Sequence, residues 1–298
     1  NAEGQYFVTA RGWEDLSRMM YVYEELELPV TDEFVFQYIQ HPDVAKDFAG
    51  FYGLCRKYQE DYRFSELLDG TMDAASIEEK EERLQKAGYD ERTAVISLLL
   101  GAVHTALAQY AAWERQTKLL YEEVRRLKSS LEAPDAEEAD TILDHEIAKR
   151  QQAWEVKKKA GLYRENEASL ALYVTDWVRR FLYEWKKVKN QDACSASVLL
   201  KEMFGLEKKK LNDSGKDMQQ LLERAFAFAG KAFVGGQELA VFTEGITRDE
   251  TVMRFIMENG CKAYQTAGEI LQTEKRESEL KEEIRQLSDF LQTGEKIL

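Results

Sequence analysis

The side chains able to do chemistry in this 298-residue chain are few, and their spacing assigns most of them ordinary structural work. The histidines are His41, His104 and His145. None stands in the HExxH pattern, which sets two imidazoles on one helical face to bind zinc. A di-iron helical bundle asks for a glutamate three residues before a histidine. Those positions hold Tyr38, Gly101 and Ile142, so no metal site is expected and each histidine reads as a surface or part-buried helix residue. Gly215-Lys216 is followed by Asp217, and Gly230-Lys231 by Ala232. Neither pair has the Ser or Thr, nor the upstream glycine, of the phosphate-cradling Walker A loop. The chain is therefore expected to lack ATP hydrolysis of its own, and no catalytic residue is assigned. No Gly-x-Ser-x-Gly elbow occurs. Ser195 and Ser197, beside Cys194, are expected to cap a helix, and Asp144-His145-Glu146 to form an exposed helical turn.

Composition sets the class of partner. The net charge is -14, which repels phosphate backbones and argues against nucleic acid. The short basic runs Lys157-Lys158-Lys159, Lys186-Lys187 and Lys208-Lys209-Lys210 read as solvated helix faces. Cys55, Cys194 and Cys261 are scattered, odd in number and without a CxxC, which suits unpaired thiols in a reducing cytoplasm. The longest apolar stretch, Ile96 to Leu107, is interrupted by Ser97, Gly101, His104 and Thr105. It falls short of the roughly 20 apolar residues a membrane span needs, so no span is expected. The chain has no starting Met, and Asn1-Ala2 reads as the remnant of tag removal on a piece of a longer protein.

The elements that must position any site are helices. Only 3 prolines occur, Pro29, Pro42 and Pro134, amid many Glu, Lys, Leu, Ala and Gln, which favours long helices. After a short β-prone stretch, Tyr6 to Thr9, the residues Trp13, Leu16, Met20, Tyr23 and Leu26 recur at helical steps on one face. Pro29 ends that helix. Thr31 caps a short one reaching about Ile39, with Asp32 and Glu33 facing its dipole. Pro42 fits the first position of a third helix, whose stripe is Val44, Phe48, Phe51, Cys55, Tyr58 and Tyr62. A helical turn is expected at Phe64 to Leu68, closed by Asp69-Gly70, and a helix over residues 74–87 with Gly88 just past its end.

Beyond residue 88 the helices lengthen. One, capped by Asp90, meets no strong breaker before Pro134 and would be roughly 60 Å long. A second runs to about Lys189 with Gly161 as its weak point, and a third spans about 193–229 with a break expected at Asn212-Asp213-Ser214-Gly215. The segment Glu238 to Thr243 reads as either short helix or extended chain. A last helix runs from about Arg248 to Leu291, with Glu274 to Arg285 a solvated face or coiled-coil seam. Such stripes must bury against one another. The expected fold is all-α: a small three-helix subdomain over 1–66, then an elongated antiparallel bundle over 67–298, with a coiled-coil hairpin around Pro134.

One stretch carries a resemblance. Thr9-Ala10-Arg11-Gly12-Trp13-Glu14-Asp15-Leu16-Ser17-Arg18-Met19, then Tyr38 to Ala49 and Tyr58-Gln59-Glu60-Asp61-Tyr62, resemble the lid subdomain of MoxR-type AAA+ ATPases. The resemblance covers about residues 6–64. It implies a small helical lid that closes over ATP and Mg held by an upstream AAA+ core. Arg11 matches the sensor-2 arginine, a nucleotide-binding residue that reaches the γ-phosphate. The family pattern there is Ser-Pro-Arg, whereas this chain has Thr9-Ala10-Arg11. The resemblance further implies a homo-oligomeric ring, chaperone-like remodelling and a companion with a von Willebrand factor A domain. The long helices would then contact partner or substrate. The other reading is a free-standing helical scaffold with no link to a nucleotide.

Overall fold

Thr9 opens the first helix in the way its side chain allows: its hydroxyl accepts from the Gly12 N–H at 3.0 Å. This is a computed structural model that describes residues 8–132, 139–160, 165–188, 193–233 and 237–272. Among them every regular element is an α-helix, and the chain is a helix-rich bundle with a small helical subdomain.

Three helices build the subdomain: α1 (Ala10–Glu25), α2 (Asp32–Phe36) and α3 (Pro42–Tyr62). The Thr31 hydroxyl accepts from the Phe34 N–H at 3.3 Å, satisfying one of the orphan donors at the start of α2. Pro42 sits at the start of α3, where its missing N–H costs nothing. His41 caps that helix, its Nδ1 accepting from the Val44 N–H at 3.4 Å. The three helices share an apolar core of Leu16, Phe34, Val35, Ile39 and Ala45. Tyr23 stacks on Phe34 at 3.8 Å between ring centroids, and Trp13 meets Phe48 edge-on at 5.2 Å.

The remaining helices are α4 (Phe64–Asp69), α5 (Ala74–Lys86), α6 (Tyr89–Leu131), α7 (Ala139–Lys159), α8 (Glu165–Trp185), α9 (Ala193–Ala232), α10 (Gln237–Arg248) and α11 (Glu250–Asn259). Residues 262–272 are helical again. The chain divides into two compact units, one of Asn1–Thr105 with Gln220–Leu298 and one of Ala106–Gln219. The chain after residue 66 thus contributes to both. In the first unit, Phe64 meets Phe228 of α9 edge-on at 6.0 Å. Arg224 of α9 donates to the Leu68 carbonyl at 2.7 Å, and Gln85 donates to the Lys231 carbonyl at 3.0 Å. The second unit has its own core, in which Leu120, Val124 and Leu127 of α6 face Val178, Phe181 and Trp185 of α8 and Leu200 of α9.

Several boundaries differ from expectation, each for a local reason. Gly88 does not take the left-handed conformation. Extended Ala87 ends α5 instead, and Asp90 lies in the first turn of α6 rather than at its cap. α9 runs unbroken through Asn212-Asp213-Ser214-Gly215. A Cβ on Gly215 would lie 3.1 Å from the Tyr110 hydroxyl, so glycine serves a close approach there and not a break. The segment around Glu238 is helical, in α10. The expected last long helix is interrupted at Gly260, whose φ of 77° suits glycine. Gly161, Pro134 with its hairpin, the stretch 274–285 and Tyr6-Phe7 of the β-prone stretch lie outside the described residues.

α6 also bears on the hydropathy of the chain. It contains an 18-residue window of mean hydropathy 1.5, long and apolar enough by composition to cross a membrane. Of that window 39% is buried in the fold. Ala94, Val95, Leu99 and Val103 are all at 0% exposure, at the spacing of a core-facing helical stripe. A buried core helix passes the same compositional test.

Candidate functional site

The first turn of α1 is electrostatically unusual. Four backbone N–H groups at a helix start lack intrahelical partners, and the dipole there is positive. Most such turns carry acid. The first turn of α1 has none and holds Arg11 instead, with its side chain 88% exposed. Its contact with Asp15, 3.8 Å one turn on, is a surface pair of the weak sort. Guanidinium and helix dipole therefore add to make an electropositive end, which is the elementary recipe for an anion site.

What fixes that end in place was not legible as a motif. Gly12 follows Arg11, and a Cβ at Gly12 would stand 2.6 Å from the Tyr38 carbonyl oxygen and 3.3 Å from the Thr9 hydroxyl. Glycine lets the first turn of α1 lie directly against the chain leaving α2. The Thr9 cap and this close approach together fix the backbone turn that carries Arg11.

The other residues singled out by type do not gather into a site. His104 lies 3.8 Å from Asp249, the cap residue of α11, and His145 is exposed. Among the described residues no group of His, Cys, Asp and Glu is placed to hold a metal ion. Cys55, Cys194 and Cys261 are free, and burial pushes the Cys261 thiol up to about 11. Ser195 and Ser197 lie inside α9, not at its cap, and the Ser197 hydroxyl donates to Glu132 at 2.7 Å. Gly215-Lys216 and Gly230-Lys231 are both interior to α9, a conformation that cannot wrap a phosphate.

Two further features were missed by motif reasoning. The first is a groove of about 350 Å³ along α1 and α3. Trp13, Leu16 and Phe48 line it as apolar walls, Met20 and Tyr21 border it, and Ser17 and Glu24 give it polarity. Tyr52 donates to Glu24 at 2.7 Å. Burial, then that carboxylate, pushes the Tyr52 hydroxyl up to about 12.

The second is a polar joint between α3, α5 and α6. Tyr62 donates to Glu91 at 2.8 Å, Arg83 meets Glu91 at 2.8 Å and Asp61 at 3.0 Å, and Lys80 donates to the Asp61 carbonyl at 2.6 Å. The Arg83 guanidinium lies 5.3 Å from the centre of the Tyr62 ring. Burial and then the Glu91 carboxylate raise the Tyr62 hydroxyl far above its usual value. The exposed helical spacing of the groove residues, and Tyr62 at the end of its stripe, were the available signals.

These features define an all-α chain whose small leading subdomain presents a cationic helix start and an apolar groove. No protein-family model, curated protein or solved structure matches it.

Proposed function

We propose that this chain is the C-terminal region of a MoxR-type AAA+ ATPase. The subdomain of α1–α3 serves as the nucleotide lid, Arg11 contributes the sensor-2 contact, and the long helices form an accessory body for partner or substrate during chaperone-like remodelling. The observation that carries the reading is Arg11 itself: solvent-facing, on the second residue of a capped helix, and unopposed by acid in that turn. Placing a cation at the positive end of a dipole costs stability. The cost is offset when an anion arrives, and a γ-phosphate held by an upstream core supplies one. Forked N–H donors then neutralise charge that develops during transfer. ATP and Mg would be held by that core, and a ring of copies with a von Willebrand factor A companion would complete the machine. In this reading the core provides the phosphate loop that the chain lacks, and lid motion converts hydrolysis into movement of the helical body.

The test is Arg11→Ala in the whole protein. Turnover is expected to fall at least about tenfold, with helical content and thermal midpoint unchanged, because the side chain contributes nothing to the core. Undiminished turnover would reject the assignment.

A further inference from the structure

The groove along α1 and α3 has a composition that specifies its occupant. Its walls are Trp13 and Phe48, its rim carries Tyr21, 71% exposed, and the one charged residue lining it is Glu24. The stretch that continues from α1 through α2 has the same sign, while α3 on the other side carries Lys46, Arg56 and Lys57. From Met19 to Ala45 the chain carries Glu24, Glu25, Glu27, Asp32, Glu33 and Asp43, and no lysine or arginine. Arg18, the nearest cation before that run, is engaged by Glu14 at 2.6 Å. Apolar side chains are interleaved with the acids: Val22, Leu26 and Leu28 are 41%, 62% and 41% exposed.

We propose that this groove docks an amphipathic helix of a partner protein, one that sets a large apolar side chain against the paired rings of Trp13 and Phe48 and a lysine or arginine against Glu24. Each part of that chemistry has a match in the groove. Helix-in-groove recognition uses apolar anchors at helical spacing, and Trp13, Ser17, Met20 and Glu24 repeat at that spacing along α1. Aromatic faces beside a carboxylate attract a cation more strongly than either alone. Acidic residues beyond the groove steer a basic segment in and repel an acidic one. A second copy of this chain, at a net charge of -14, is the poorer match. The inference does not rest on the nucleotide reading, since Arg11 lies outside the groove lining.

The experiment uses the full chain and a fluorescein-labelled helical peptide of leucine and lysine in amphipathic order, followed by anisotropy. Its counterpart carries glutamate in place of lysine. The lysine peptide is expected to bind and the glutamate peptide not to. Ser17→Arg, which fills the groove from an exposed position, and Tyr21→Ala, which removes an exposed rim residue, should each weaken binding at least about tenfold. Glu79→Gln, on the exposed face of α5, matches the charge change of Ser17→Arg and should leave binding unaltered. Equal loss in Glu79→Gln, binding of the glutamate peptide, or no binding of the lysine peptide overturns the proposal. So does sedimentation showing self-association of the chain that Ser17→Arg abolishes, which would make a second copy the occupant. Should Ser17→Arg fail to fold, Tyr21→Ala decides alone.

Discussion

Gly12 and Tyr52 show how single residues hold the leading subdomain in shape. Alanine ordinarily improves a helix over glycine by roughly 0.5–1 kcal/mol. At Gly12 the sign reverses, because the added Cβ would meet the Tyr38 carbonyl at 2.6 Å. A backbone carbonyl cannot swing aside as a flexible side chain can. Gly12→Ala is expected to lower stability by about 1–3 kcal/mol in chemical unfolding. An unchanged or raised midpoint would show that the helix start has room to shift. Tyr52 makes a pH prediction. Free tyrosine loses its proton near pH 10, whereas folded Tyr52 holds it up to about 12. Its contribution is thus intact below pH 10 and lost as pH rises from there through 12, because the unfolded chain releases the proton first. Urea midpoints taken at pH 8 and pH 11 should fall further for the natural chain than for Tyr52→Phe. Equal falls would place the alkaline sensitivity elsewhere, with Tyr62 the first alternative.

At the scale of elements, the joint of α3, α5 and α6 ties the end of the small subdomain to its neighbours. A hydrogen bond from a buried hydroxyl to a carboxylate that also pairs with a guanidinium is worth more than an isolated surface pair. A double-mutant cycle of Tyr62→Phe and Glu91→Gln should give a coupling of about 0.5–3 kcal/mol. Additive losses would mean that the two residues stabilise α3 and α6 independently. The helices that meet there were largely legible in advance. Thr31, Pro42 and the stripe through Phe48 and Tyr58 are local signals, and local signals fix helix starts and buried faces. The joint was not legible, because Tyr62, Arg83 and Glu91 lie on three helices and only packing brings them together. The same limit explains the missed continuity of α9 across Gly215. Glycine reads as a breaker in sequence, and what it accommodates is the hydroxyl of Tyr110, more than a hundred residues away in the chain. Of the candidate site, Arg11 could be named from its neighbours in sequence. The groove could not, since its Phe48 wall comes from another helix.

At the scale of the whole molecule, the contiguous unit Ala106–Gln219 has what an independently stable body requires. Its core sets two tryptophans, Trp177 and Trp185, at 1% exposure each, against Phe181, Leu120 and Leu127 at 0%. Burial of side chains this large contributes roughly 1.5–3 kcal/mol apiece before chain entropy is subtracted. Electrostatics add a tie inside the unit: Arg126 of α6 sits between Glu123 of its own helix and Glu146 of α7, a charged cluster that half-burial keeps from full screening. Three helices that pack stripe to stripe around such a core satisfy the usual conditions for a bundle. The segment 106–219 expressed alone is therefore expected to be helical and to unfold cooperatively. Tryptophan emission, which in this segment arises from Trp113, Trp154, Trp177 and Trp185, should shift to the red through the same transition that far-UV circular dichroism reports. Removing the centre of the core with Trp177→Ala should cost about 3–5 kcal/mol and bring the transition close to ambient temperature. A segment with a gradual melt and solvent-exposed tryptophan emission would mean that α6 and α9 need their continuations beyond this unit to hold their register. The unit Ala106–Gln219 would then be no separable module, and the chain would have to be tested as a single folding unit.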